Sequence, residues 1–382
     1  MAKNRLFGVG EPLTIRALAG EIDAMEAIDL IDAVGFGAFR EWMHIPVLLS
    51  DPETLRPEAY RMFTKTLDRM AEKDIEVTGM SHEWFLPEGC RQRSGCAAPK
   101  RDLTPGSLYM QMLEMLSKSW ETIARAFPQV PMWEVGNEWG ANTFLHPDGF
   151  REDNFRWHFT QDEKADIAVD LMFWSAQGIR RGNPNAKVVS FSPCRVSEEQ
   201  GGDLPYYLPA NYAMAQLFDR IYSRIQSGKY WSTNTDDYFD AVAYHPYVSH
   251  DVPPDDLWKD VGDAVHRVME HYGDGHKQAL ITEFGYTDIF DAEKERRHAE
   301  YYRDIFRMCR EMPYLRTLHV FRLYEQYSML EHNEPNSIGG AYEVTFGIFT
   351  EPNRGQLPRQ KAVELQKLIG GTGDLYMHRK DR

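Results

Sequence analysis

Two glutamates close β-rich runs in unlike settings. Glu138 stands at the end of the run in MWEVGNEW, and Glu283 at the end of the run in ALITEFGY. Cleaving a glycosidic bond takes an acid to protonate the leaving oxygen and a second carboxylate on the opposite face of the sugar, so two converging carboxyls are the minimal machinery. Other carboxylates compete for these roles. Glu134 shares the face of Glu138 by strand alternation but lies about one layer deeper at roughly 3.3 Å per residue, which predicts a buried structural partner. Glu41 and Glu83 follow Arg40 and His82, and are read either as substrate contacts or as rim salt bridges; Glu325 is a further competitor. Apolar sugar faces pack on aromatic rings, which makes Trp84, Trp139, Trp231, Tyr286 and Tyr324 candidate platforms. Trp84 and Trp139 adjoin other candidate residues and are preferred.

Something must aim these groups at one point. The chain alternates short β-rich runs with amphipathic helices, the pattern of parallel βα units. Strands are predicted at 6–10, 37–41, 75–80, 132–137, 188–192, 241–245, 279–283 and 318–323. Eight units predict an α/β fold, a (β/α)8 TIM barrel, with one catalytic domain over 1–370 and a surface tail over 371–382. Thr104-Pro105 reads as a helix start and Thr160 with Glu163 as a capping box. Leu257, Val261, Val265 and Val268 form a helical stripe, as do Tyr302, Ile305, Phe306 and Cys309, and both predict packing on the barrel. The long connections 81–104, 139–161, 193–210 and 325–355 leave strands, as expected where a barrel builds its chemistry. The long helix-to-strand link 227–240 breaks that rule.

Composition narrows the partners. The 382 residues carry a formal net charge of −15, which argues against nucleic acid and anionic membranes, since both reward clustered Lys and Arg. No apolar run approaches the roughly 18 residues of a membrane span, and MAKNRLFGVGEPL lacks a secretory apolar stretch. A cytoplasmic location is therefore expected. The four cysteines are too few and too irregular for a disulfide framework. A metal held by Cys90, Cys96 and Cys194 has no CxxC pair to support it, and neither metal nor organic cofactor is expected. Oligomeric state is not legible.

Taken by position, the sequence resembles glycoside hydrolase clan A, and its motifs look most like those of families 5 and 39. Arg40 ends strand two, His82 strand three, Asn137-Glu138 strand four, His245-Pro246-Tyr247 strand six and Glu283 strand seven, while FGIFTEPNRGQLPRQKAVELQKL looks like the clan's closing segment. The resemblance implies a retaining β-glycosidase with Glu138 as general acid/base and Glu283 as nucleophile. It also implies that Asn137 bonds the sugar 2-hydroxyl, that Arg40 and Tyr247 hold Glu283 ionised, and that His82 and His245 line the pocket. One departure lies at strand eight, where the clan presents tryptophan and this chain reads HVFRLYEQ. Phe321 or Tyr324 is the substitute, and an inward Arg322 would favour an acidic sugar. Long loops and small imported glycosides suggest exo action. The alternatives are an endo-β-glycanase of the same clan and a non-catalytic sugar-binding barrel. A metal-dependent amidohydrolase would want HxH in strand one, where the chain reads LFGVG.

Overall fold

In the computed structural model, which describes residues 3–149, 158–194, 210–247, 253–254, 256–328 and 344–379, eight parallel strands close into a barrel. They are β1 (Phe7–Glu11), β2 (Ala38–Trp42), β3 (Glu76–Met80), β4 (Met132–Glu134), β5 (Lys187–Val189), β6 (Ala241–Tyr244), β7 (Gln278–Phe284) and β8 (Leu315–Phe321). Closure is made where β1 pairs with both β2 and β8, Gly8 facing Ala38 on one side and His319 on the other. Each strand overlaps its predicted run. β4 is the shortest relative to expectation, because the chain leaves the ladder after Glu134 and returns only for an isolated bridge between Asn137 and Ser192.

Helices follow each strand and cover the barrel: α1 (Ala24–Val34), α2 (Pro57–Glu72), α3 (Leu108–Ala126), α4 (Gln161–Gly182), α5 (Ala210–Gln226), α6 (Asp256–His271), α7 (Ala292–Arg310) and α8 (Gln360–Ile369). The Thr160–Glu163 capping box forms at α4. The other helix start is displaced. Thr104-Pro105 lies in a turn whose Thr104 N–H is taken by Asp102, and Ser107 caps α3 by accepting from Met110 N–H. On α6 the buried stripe is Trp258, Val261, Val265 and Met269, with Val268 at its margin, while the side chain of Leu257 lies outside the described residues; on α7 it is Tyr302, Ile305, Phe306 and Cys309 as predicted. Among the described residues no helix is long and apolar enough to cross a membrane.

The anomalous link 227–240 acquires a reason. Trp231 stacks on Phe173 of α4 and donates its indole N–H to Asp170, while Thr235 and Lys277 share the buried Asp274 carboxylate. The link thus seals the barrel side between α4 and β6, and Trp231 belongs to that packing, not to a sugar platform. At the other end of the strands, loops brace one another. Trp84–Phe85 pairs with Ser94–Gly95, and Ala97–Ala98 pairs with His146–Pro147, tying the connection after β3 to the one after β4. The segment 371–379 lies against α1, with Gly373 N–H bonded to Ala33 C=O and Leu375 buried.

Candidate active site

The carboxylates converge because both strand ends are irregular. After β4 the chain turns at Glu138 itself, which sits in the left-handed region at φ 46° and is pinned by its N–H to Ser192 C=O (2.7 Å). A non-glycine residue there carries about 1–3 kcal/mol of strain that the surroundings must hold. Trp139 does the holding. Its indole folds back over Gly136 so closely that a Cβ on Gly136 would lie 2.2 Å from it, then stacks on Phe191 and meets Trp84 edge-on. Gly136→Ala is therefore expected to push Trp139 outward and Glu138 off its position. Displacements of about 1 Å at a reacting group cost on the order of 10²-fold. A drop in kcat/KM of that size with an unchanged far-ultraviolet circular dichroism spectrum is expected; near-normal turnover would show that Trp139 does not set the position of Glu138.

On β7 the register against β8 slips between Ile281 and Phe284, where two residues, Thr282 and Glu283, face the single His319. Such a bulge re-aims side chains and is common beside active sites. Here it brings neighbouring residues Thr282 and Glu283 to the same interior. Glu283 accepts from Arg40 Nη1 and from Tyr247 O–H (3.3 Å). Arg40, fully buried, also bonds Glu134 through Nε (2.6 Å) and Nη2 (3.0 Å) and donates to Asn137 Oδ1 (2.8 Å), with its guanidinium 4.7 Å over Trp42. Burial by itself would lower the Arg40 pKa; the carboxylates of Glu134 and Glu283 outweigh it and hold the cation. His245 completes the group, Nδ1 lying 2.7 Å from Glu138 Oε1 and 3.8 Å from Glu283 Oε2.

Ligand-type atoms of Glu138, His245 and Glu283 all fall within 4.8 Å of one another. The sequence candidates Arg40, Asn137, Glu138, His245, Tyr247 and Glu283 are thus brought together, and Glu134 is the buried partner expected of it. His82 and Glu83 lie beside the same interior with His44, again within 4.8 Å. Among the described residues these are the two groups of metal-ligand type, and neither includes a cysteine. The His44–His82–Glu83 group is a poor cation site: both buried Nδ1 atoms lack a partner to orient the rings, and the Arg40 charge faces both imidazoles.

Several expectations are corrected. Trp84 and Trp139 are only 2% and 1% exposed, so their rings back the pocket wall instead of offering a face. Tyr324 is buried and its hydroxyl accepts from Gln356 Nε2. Tyr286 packs among Phe284, His298 and Tyr302. Glu41 points outward from β2 and takes both the hydroxyl and the N–H of Thr14, so it meets no substrate; burial raises its pKa well above the usual range. Glu325 is buried beside Arg359. Arg322 is committed to Glu11 through Nε (3.2 Å) and Nη2 (2.7 Å), which removes the reason to expect an acidic sugar. Phe321 stays part-exposed against Trp42 and Phe346.

Residues the sequence reading missed are Thr282, Trp42, His44 and Phe346. Trp42 and His44 continue the period of two from Arg40, a readable signal. Phe346, set between Phe321 and Tyr247, lies in a long connection with no local pattern.

Buried histidines give the barrel a pH dependence. Burial, then the Arg40 charge, brings His319 to about 3; burial brings His245 to about 4. An unfolded chain binds these protons near pH 6.5, where the folded one refuses them. Their contribution is complete above that pH and is lost as pH falls toward 4, by about 1.4 kcal/mol per unit for each histidine. Buried carboxyls such as Glu41 act in the opposite sense, so a difference measurement is needed. Urea unfolding of His319→Leu against the parent from pH 7 to 4.5 is expected to show a shallower acid loss by that slope; parallel curves would reject it.

The sequence matches no family model and no curated protein. Structural likeness is broad. A family 1 β-glucosidase from Thermotoga maritima in complex with isofagomine lactam superposes at TM-score 0.62 with 14% identity, over 97% of this chain and 98% of that one. A GH5_18 protein from Streptomyces cattleya in complex with GlcNAc gives 0.60 at 13% identity, over 97% and 80%. A family 39 glycoside hydrolase from the gut symbiont Bacteroides cellulosilyticus WH2 gives 0.60 at 14%; the chain spans 64% of that protein's length. These neighbours are clan A glycoside hydrolases. At such identities the likeness establishes the (β/α)8 architecture, the class to which the chain's fold belongs.

Proposed function

We propose that the chain is a retaining glycoside hydrolase that cleaves β-glycosidic bonds by double displacement, with Glu138 as general acid/base and Glu283 as nucleophile. The observation that carries this reading is the approach of the two carboxylates: an oxygen of one lies within 4.8 Å of an oxygen of the other. That closeness suits the retaining spacing of roughly 5–5.5 Å between carboxyl groups, whereas inversion leaves a gap of roughly 6.5–9.5 Å for a water.

The groups around them suit the two steps. Arg40 and Tyr247 donate to Glu283 and aim it, and its carboxylate attacks the anomeric carbon while Glu138 gives its proton to the departing oxygen. Glu138, now a carboxylate, takes a proton from water as that water opens the glycosyl ester. Arg40 occupies Asn137 Oδ1, so the Asn137 amide nitrogen is the donor left for the sugar 2-hydroxyl, a bond that strengthens as positive charge develops on the ring. His82 contributes to the sugar site, and Phe321, with Phe346 behind it, serves as the floor of the first subsite. The catalytic unit is residues 1–370, acting on a carbohydrate with no cofactor and no metal. The braced loops after β3 and β4 favour exo action on small β-glycosides or oligosaccharides.

A panel of aryl β-glycosides, including uronides, with polymeric β-glycans alongside, tests the reading. Turnover of at least one neutral monosaccharide glycoside, unaffected by chelator and without preference for uronides, is expected. Cleavage confined to polymers would establish endo action, and no turnover of any β-glycoside would leave the sugar-binding reading in its place.

A further inference from the structure

Two residues behind the acid/base have a role that the reaction alone does not assign. Thr282 Oγ1 lies 2.9 Å from Glu134 Oε1 and 3.0 Å from His245 Nε2. Glu134 takes two bonds from Arg40, so it is an ionised acceptor with no hydrogen to give. A hydroxyl has one hydrogen. The contact with Glu134 uses it, which leaves a Thr282 lone pair facing His245 and requires the hydrogen of that contact to sit on Nε2. Burial keeps the imidazole neutral near pH 7, its pKa at about 4, so Nδ1 is then bare. At 2.7 Å a bare nitrogen and a carboxylate oxygen would repel; the Nδ1 contact with Glu138 Oε1 is attractive only with a proton on the glutamate.

We infer that Glu134 and Thr282 lock His245 in its Nε2–H tautomer and thereby hold the catalytic proton on Glu138, which makes Thr282 a positioning residue for the acid/base. The inference rests on Glu138 being that acid/base. The groups facing the ring are Arg40 from β2, Glu134 and Glu138 from β4 and its turn, Tyr247 after β6, Glu283 from β7 and His319 from β8. Arg40 balances Glu134 and Glu283 in part, and the lock decides where the remaining proton resides. When Glu138 passes its proton to the leaving oxygen, the new carboxylate faces the bare Nδ1 and becomes a stronger base for the proton of the incoming water. The same group is thus set for both half-reactions. The device depends on the bulge in β7, without which Thr282 and Glu283 would point to opposite faces.

The test is kcat/KM against pH for an aryl β-glycoside with a poor leaving group, in the parent, Thr282→Val and Thr282→Ser proteins. The basic limb reports loss of the Glu138 proton. Valine cannot accept from Nε2, so His245 is free to carry its hydrogen on Nδ1 and donate it to the Glu138 carboxylate. The basic limb is then expected to move to lower pH by about one unit, and serine is expected to restore it. A basic limb unmoved in Thr282→Val, or moved equally in Thr282→Ser, overturns the inference. An inactive parent would instead count against the assignment of Glu138. Should Thr282→Val fail to fold, ¹⁵N spectra of the parent, with the His245 signals assigned through His245→Asn, decide the matter: protonated Nε2 and bare Nδ1 near pH 7 support the lock, and a protonated Nδ1 overturns it.

Discussion

Glu283→Ala is expected to lower kcat/KM for an aryl β-glycoside by about 10⁵-fold, the scale on which loss of a nucleophile removes covalent catalysis. Azide in place of the carboxylate would then attack directly and give an α-glycosyl azide. Glu138→Ala should behave differently. With an activated leaving group the glycosyl ester still forms, because little protonation is needed, but its breakdown stalls for want of a base. Azide needs no base, so it should restore turnover and give a β-glycosyl azide. The two variants therefore separate the roles by product stereochemistry as well as by rate, and the opposite pattern of azide products would mean that the assignments are exchanged.

Arg40→Met is expected to be the most damaging change outside the two glutamates. The methionine fills part of the space but withdraws the guanidinium donors from Glu134 and Glu283, leaving them only the hydroxyls of Thr282 and Tyr247, and frees Asn137 Oδ1. Breaking a buried ion pair by removing one partner costs about 3–5 kcal/mol, since the other charge stays buried. Loss of a preorganised donor at the reacting carboxylate adds a fall on the order of 10³-fold in kcat/KM. Arg40→Lys should rescue little, because one ammonium cannot reproduce the planar fork that reaches four acceptor atoms. Urea unfolding and steady-state kinetics check both parts. A methionine variant as stable as the parent would show that the carboxylates find other partners.

What the sequence disclosed and what it hid divide along physical lines. Strand positions were readable because a barrel strand buried on both faces is an apolar run with a sharp end, and the burial of Glu134 one layer below Glu138 follows from alternation on β4, although its partner, Arg40, was not named by that pattern. The capping box at Thr160 is local chemistry and was legible for that reason. Features that depend on departure from regular backbone were not. Alternation predicts that Thr282 points away from Glu283, and only the bulge reverses this. Trp84 and Trp139 adjoin pocket residues in sequence, yet the left-handed turn at Glu138 folds Trp139 inward over Gly136 and covers both rings. Arg322 looked available for substrate because its partner, Glu11, lies on β1, 311 residues away in the chain.

A covalent role for Glu283 requires net retention, and proton NMR of the first-formed sugar tests it most directly. During hydrolysis of an aryl β-glycoside followed from the first turnovers, before mutarotation, the β-anomer of the free sugar is predicted to appear first and the α-anomer only later by equilibration. An α-anomer formed first would mean a single displacement by water, and would contradict the covalent role given to Glu283.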